Sequence, residues 1–143
     1  MLVDNLKVLL ATSFSLYLKS ANFHWNVEGP DFPQYHKLFG KVASDTINSI
    51  DTIAEFIRAL GEYAPSGYTD FMNLSLVDNH GGQPTTANKL LEMVETNTIL
   101  LEYLNQSFAV ATEEAQQGIA SFLAERMNAV QKHNWMLRST SKA

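Results

Sequence analysis

The feature that most constrains how this chain can fold is the period of its apolar residues. Between positions 32 and 60, Phe39, Val42, Ile50, Ile53, Ile57 and Leu60, with Thr46 in the same series, recur at intervals of three or four. That spacing lines one stripe of an α-helix and no single face of a strand. From about Leu2 to Trp25 the period runs through Leu6, Leu10, Tyr17, Ala21 and His24. Leu6 and His24 are eighteen residues apart, five turns at 3.6 residues per turn, so they share one meridian and His24 falls on the buried side. The period returns after Pro84 in Leu90, Val94, Leu101, Leu104 and Phe108, to about Glu113, and again in Ile119, Leu123, Val130, His133 and Leu137.

The punctuation agrees with this division. In VEGPDFP, Gly29 and Pro30 predict a turn, Asp31 an N-cap and Pro33 a first helical turn. Gly61 suits the position just past a helix end, and Thr85 or Thr86 suits the next N-cap. Gln116, Gln117 and Gly118 are expected to separate the last two helices, with Ser139 to Ala143 left beyond the last one. The stretch from Glu62 to Pro84, rich in Gly, Pro, Ser and Asn, is too long for a tight connection. A short helix is expected in it around Thr69 to Leu76, with Phe71 and Leu74 on its apolar side. Four long helices and one long crossover predict an all-α, ferritin-like four-helix bundle, with the extra short helix between helices 2 and 3.

At 143 residues and 45% hydrophobic composition, the chain suits a single compact domain over 1–143. It has no cysteine, which excludes disulfides, thiolate metal sites and cysteine nucleophiles. A net charge of −5 and the absence of any lysine or arginine run argue against a surface that coats nucleic acid. In MLVDNLKVLLATSFSLYLKS, Asp4, Lys7 and repeated polar residues interrupt the apolar positions, so neither a signal core nor a membrane span is expected. A soluble cytoplasmic protein with no membrane partner is the expectation.

The candidate chemistry lies in His24, His36, Asp51 and Glu55. Two imidazoles and two carboxylates suit ferrous iron. Asp51 and Glu55 are i and i+4 on one helix and project from one face, close enough for one ion. His36 and Asp51, fifteen residues apart, stand roughly 22 Å apart along the same axis, too far for any ion to span. Two copies of that helix, antiparallel about a two-fold axis, would bring His36 of one chain beside Asp51 and Glu55 of the other, which hints at a metal site shared between subunits. Each residue taken singly has an ordinary alternative. Glu55 could pair with Arg58 at the surface, His24 and His133 could be hydrogen-bonded core residues, and Trp25 and Trp135 could fill the core. No Glu-x-x-His, HExxH, glycine-rich phosphate loop or nucleophile elbow occurs to support another chemistry.

The segments ANFHWNVEGPDF, YHKLF, SIDTIAEFIRALG and KHNWMLRS resemble the Dps family of miniferritins, and so does the linker ALGEYAPSGYTDFMNLS. The resemblance spans nearly the whole chain, and His24, His36, Asp51 and Glu55 stand in the order and spacing of that family's ferroxidase ligands. It implies a homo-oligomeric, dodecameric shell in which Fe(II) is oxidised at two-fold interfaces and stored inside as Fe(III) oxide. Hydrogen peroxide is the family's usual oxidant, with oxygen as the other substrate. His24 and His36 of one chain would then act with Asp51 and Glu55 of its partner, and Trp25 and Trp135 could each supply an electron to an over-oxidised intermediate.

Departures from the family pattern are equally specific. Some members have an acid four residues after the second histidine, where this chain has Gly40, which puts a second iron site in question. The family's three-fold pores are lined by acids near the start of the fourth helix, where this chain has Gln117 and Ser121, retains Glu113 and adds Glu114. With only Lys142 in the final residues and no lysine-rich arm before the first helix, strong nucleic-acid binding is not expected. The competing readings are a shell that condenses DNA, or a helical structural protein with a vestigial iron site.

Overall fold

The computed structural model describes residues 1–142 and contains, in order, α1 (Leu2–Asn26), α2 (Phe32–Ala59), α3 (Tyr68–Leu74), α4 (Thr86–Glu113) and α5 (Gln117–Ser141). Among the described residues there is no strand. Helices α1 and α2 form one antiparallel hairpin, seen in the packing of Phe23 on Phe39 at one end and the Lys7–Glu62 ion pair at the other. A second hairpin, α4–α5, lies against it. Asn5 donates to Ser107 and Ser20 to Met93, so α1 runs antiparallel to α4, and the crossover makes α2 and α4 parallel. The core between the hairpins holds Leu6, Leu10, Leu16, Phe23, Phe39, Ile53, Ile57, Met93, Leu100 and Leu123, all fully buried or nearly so. The order of the elements is the expected four-helix bundle with an extra helix in its crossover.

Three α1 side chains hold that crossover in place. Thr12 Oγ1 accepts from the Leu76 N–H at 3.0 Å, Ser15 Oγ lies 2.8 Å from Ser75 Oγ, and Asn22 donates to the Gly82 carbonyl at 3.3 Å. Thr12 and Ser15, buried under this irregular segment, are thereby paired with its backbone and side chains, and Asn22 ties it down at the surface.

The helix ends depart from expectation in instructive ways. Asp31 occupies the N-cap position of α2, but its carboxylate bonds no first-turn N–H; among the described residues only Thr85 caps with its side chain, accepting from Asn88 N–H at 3.2 Å. At Gly61, φ is +97°, and Gly61 and Glu62 N–H donate to the carbonyls of Arg58 and Ile57. This is the paired closure that a left-handed residue permits. The same closure ends α4, with Ala115 at φ +58° donating to Thr112 and Gln116 donating to Ala111. The chain therefore reverses over 114–116, and Gln117 and Gly118 lie inside α5 rather than in the break. Likewise α3 starts and stops earlier than expected, and Ser139, Ser141 and the residue between them continue α5; Ala143 lies outside the described residues. Phe108, expected in the core, is 36% exposed. The buried line of α4 runs through Leu100, Leu104, Ser107 and Ala111 instead.

Candidate metal centre

The histidine half of the candidate site lies at the α1–α2 corner. His24 sits in the last turn of α1, where main-chain carbonyls have no helical partner, and His36 in the first turns of α2. Each ring bonds to the other residue's backbone. His24 Nδ1 lies 2.5 Å from the His36 carbonyl oxygen, and His36 Nδ1 lies 2.6 Å from the His24 carbonyl oxygen. A carbonyl can only accept, so both Nδ1 atoms bear the proton and donate. In the neutral rings both Nε2 atoms are then left with a lone pair, the form in which imidazole binds a metal. The rings stack at 3.9 Å between centroids and 15° between planes, and Phe32 stacks on the outer side of His36 at 4.8 Å. The turn residues 27–31, with Gly29 at φ +123° and its carbonyl accepting from Phe32 N–H, set the two helix ends at this separation.

The carboxylate half lies further along α2. Asp51 and Glu55 are both exposed, one turn apart. The Asp51 carboxylate holds the Glu55 carboxyl above its ordinary range, first as hydrogen-bond acceptor for its protonated form and then by charge repulsion, with partial desolvation adding to it. Among the described residues no three His, Asp or Glu side chains converge within one chain to hold a metal, and the imidazole pair stands apart from the carboxylate pair.

The remaining candidates fall elsewhere. Trp25 and Trp135 are 67% and 61% exposed, which removes the reading of both as core filling. Glu113, Gln117 and Ser121 are all exposed, with Gln117 and Ser121 one turn apart on α5. Glu114 is otherwise engaged, since its Oε2 accepts from the Leu2 N–H at 3.1 Å. A carboxylate at the start of α1 complements the helix dipole there, so Glu114 is not a spare pore acid. His133, 6% exposed, faces Asp45 at 3.7 Å, and Arg126 donates to the same Asp45 oxygen at 2.9 Å. Burial pushes the His133 imidazole below its ordinary pKa; Asp45 opposes the shift, while Arg126, Lys41 and Lys132 add to it. Asp45 and Arg126 carry no mark in the sequence, because a pair joining α2 to α5 has no local spacing to find.

A family model for the ferritin-like domain matches residues 3–142. A low temperature-induced protein of Nostoc sp. (strain PCC 7120) is 33% identical over 91% of this chain and 74% of its own length. DNA protection during starvation protein 2 of Bacillus anthracis is 26% identical over 87% of this chain and 85% of its own. Among solved structures, Dps from Thermosynechococcus elongatus superimposes with a TM-score of 0.96 at 25% identity, covering 99% of this chain and 90% of that one. Dps from Bacillus brevis does so with a TM-score of 0.94 at 26% identity, covering 99% and 95%.

Proposed function

Because this chain belongs to the Dps family of miniferritins, within the ferritin-like proteins that store iron, we propose that it oxidises Fe(II) at sites shared between two subunits. The observation that most supports this is the reciprocal clasp of His24 and His36, which turns two Nε2 lone pairs away from the backbone for an incoming metal. One chain offers two neutral nitrogens and, elsewhere, two oxygens; a two-fold partner completes an N2O2 set that suits Fe(II). Fe(II) is substrate here, and hydrogen peroxide is the proposed oxidant: two Fe(II), one peroxide and two waters give two FeO(OH) and four protons. The negative charge of Asp51 and Glu55 stabilises the Fe(III) product over Fe(II). The ferric oxide is stored inside a dodecameric shell, with Glu113, Gln117 and Ser121 lining the route of entry. Trp25 and Trp135 are proposed as one-electron donors that intercept over-oxidised species, in keeping with their exposure.

The test is the double substitution Asp51→Ala with Glu55→Ala. Both side chains are exposed, so assembly should survive while rapid peroxide-dependent iron oxidation is lost. An unchanged initial rate in stopped-flow absorbance refutes the assignment. A Bacillus anthracis relative named for DNA protection during starvation favours a second reading, a shell that protects DNA by binding it. The chain's net charge of −5 weighs against this, and duplex DNA should show little mobility shift at near-physiological salt, since strong binding needs several phosphate contacts. Tight binding at neutral pH would reverse the order of the two readings.

A further inference from the structure

Among the described residues, five buried side-chain atoms have no hydrogen-bond partner within the chain: Thr46 Oγ1, Asn97 Nδ2 and Oδ1, His133 Nδ1 and Asn134 Oδ1. They lie together. His133 Nε2 faces Asp45, the residue before Thr46, and Asn134 donates to Thr98, the residue after Asn97, so α2, α4 and α5 bring all five atoms to one level of the bundle. On the fourth side α1 supplies the apolar Leu16, one turn from the Ser20 that meets Met93, which is itself one turn from Asn97. The levels on either side are apolar, with Met93 and Leu100 on α4 and Val130 and Leu137 on α5 all buried.

Asn97 is the sharpest case: it is fully buried, and its amide, with two N–H donors and a carbonyl acceptor, bonds to nothing in the chain. Buried polar groups in folded proteins are bonded, because an unpaired one forfeits its whole hydration. The partners must therefore come from outside the chain, and the donor set says what they are. An anion would face the carbonyl oxygens of Asn97 and Asn134. A cation would face the Asn97 NH2 group, with the Arg126 guanidinium close by on Asp45. A small neutral molecule that both donates and accepts suits every atom. We propose that this level is an internal solvent site, holding about two waters at roughly three hydrogen bonds each. With the Nε2 proton of the neutral His133 ring turned to the Asp45 carboxylate at 3.7 Å, its Nδ1 lone pair accepts from one of them. Asp45 and Arg126 also line a cleft of about 310 Å³ along the α2–α5 seam, so His133 stands between the buried level and open solvent, where the waters exchange.

The experiment is diffraction from crystals of the full-length assembled protein, soaked in rubidium bromide, at a resolution that shows ordered water. Wild type should show solvent peaks within hydrogen-bonding distance of the Asn97 amide and of His133 Nδ1, with no anomalous signal from either ion at this level. Thr46→Val keeps the shape of the side chain and removes one partner, so it should lose the density beside position 46 and lower the thermal midpoint by about 2–4 °C. Side chains bonded directly to one another with no solvent peak between them overturn the proposal, and so does an anomalous peak, which would assign the site to an ion. A raised midpoint in Thr46→Val also overturns it, since removing an unpaired hydroxyl from a dry core stabilises. If Thr46→Val does not assemble, the wild-type density alone decides.

Discussion

Mixing two inactive variants gives the sharpest test of a shared site. Consider His24→Ala/His36→Ala in one chain and Asp51→Ala/Glu55→Ala in another. Along α2, His36 and Asp51 are separated by fifteen residues, roughly 22 Å at 1.5 Å per residue. Each homodimeric interface of either variant therefore lacks one half of both its sites, and neither protein should oxidise iron rapidly. After dissociation and reassembly at equal amounts, about half of the two-fold interfaces join one variant to the other. Each mixed interface has one site with both halves intact and one with neither, as two-fold symmetry requires. The reassembled sample should thus recover about one quarter of the wild-type sites, and with them about one quarter of the initial peroxide-dependent rate. Native mass spectrometry of the same sample verifies the mixing. Proven mixed assemblies that stay inactive would refute the shared site, and substantial activity in either unmixed variant would refute the ligand set.

Other expectations concern stability and entry. Burial holds the His133 imidazole below its ordinary pKa of 6.5, so the unfolded chain binds the extra proton first as pH falls. The stability this contributes is complete above about pH 6.5 and is lost as pH drops through it, at no more than about 1.4 kcal/mol per pH unit. Thermal midpoints at pH 7.5 and 5.5 should differ less in His133→Gln than in wild type; an equal drop in both would exclude His133 as the titrating group. At the α4–α5 corner, Gln117→Asp with Ser121→Asp should speed mineral-core growth several-fold at low ionic strength, within the range of electrostatic steering. A double variant that assembles normally yet takes up iron no faster would exclude this corner as the limiting entrance.

The helices were legible because burial imposes one period on each, and the long crossover because its composition breaks that period. The ends were less so. Gly61 announces a left-handed residue, whereas Ala115 adopts the same conformation with no compositional mark, and Gly118 is a false signal that sits within α5. Phe108 shows a related limit: eighteen residues from the buried Leu90 and on the same meridian, it is nonetheless 36% exposed. At the candidate site, the distance of His36 from Asp51 and Glu55 could be read from spacing alone. The clasp could not, because it joins side chains to carbonyls across a turn.

The α1–α2 hairpin also bears on the order in which the molecule comes together. The His24–His36 clasp closes over 12 residues, whereas the Asn5–Ser107 bond between the two hairpins closes over 102. Chain entropy makes the longer closure dearer by about 2 kcal/mol, from the logarithmic growth of loop cost. Docking of the second hairpin must therefore draw on the apolar surface it buries, while the corner can form from its own short segment. All four proposed iron ligands, His24, His36, Asp51 and Glu55, belong to that first hairpin. The half of the polypeptide that emerges first from synthesis thus contains every group it would offer to a metal, and the second half supplies the packing that holds α1 and α2 as a stable platform.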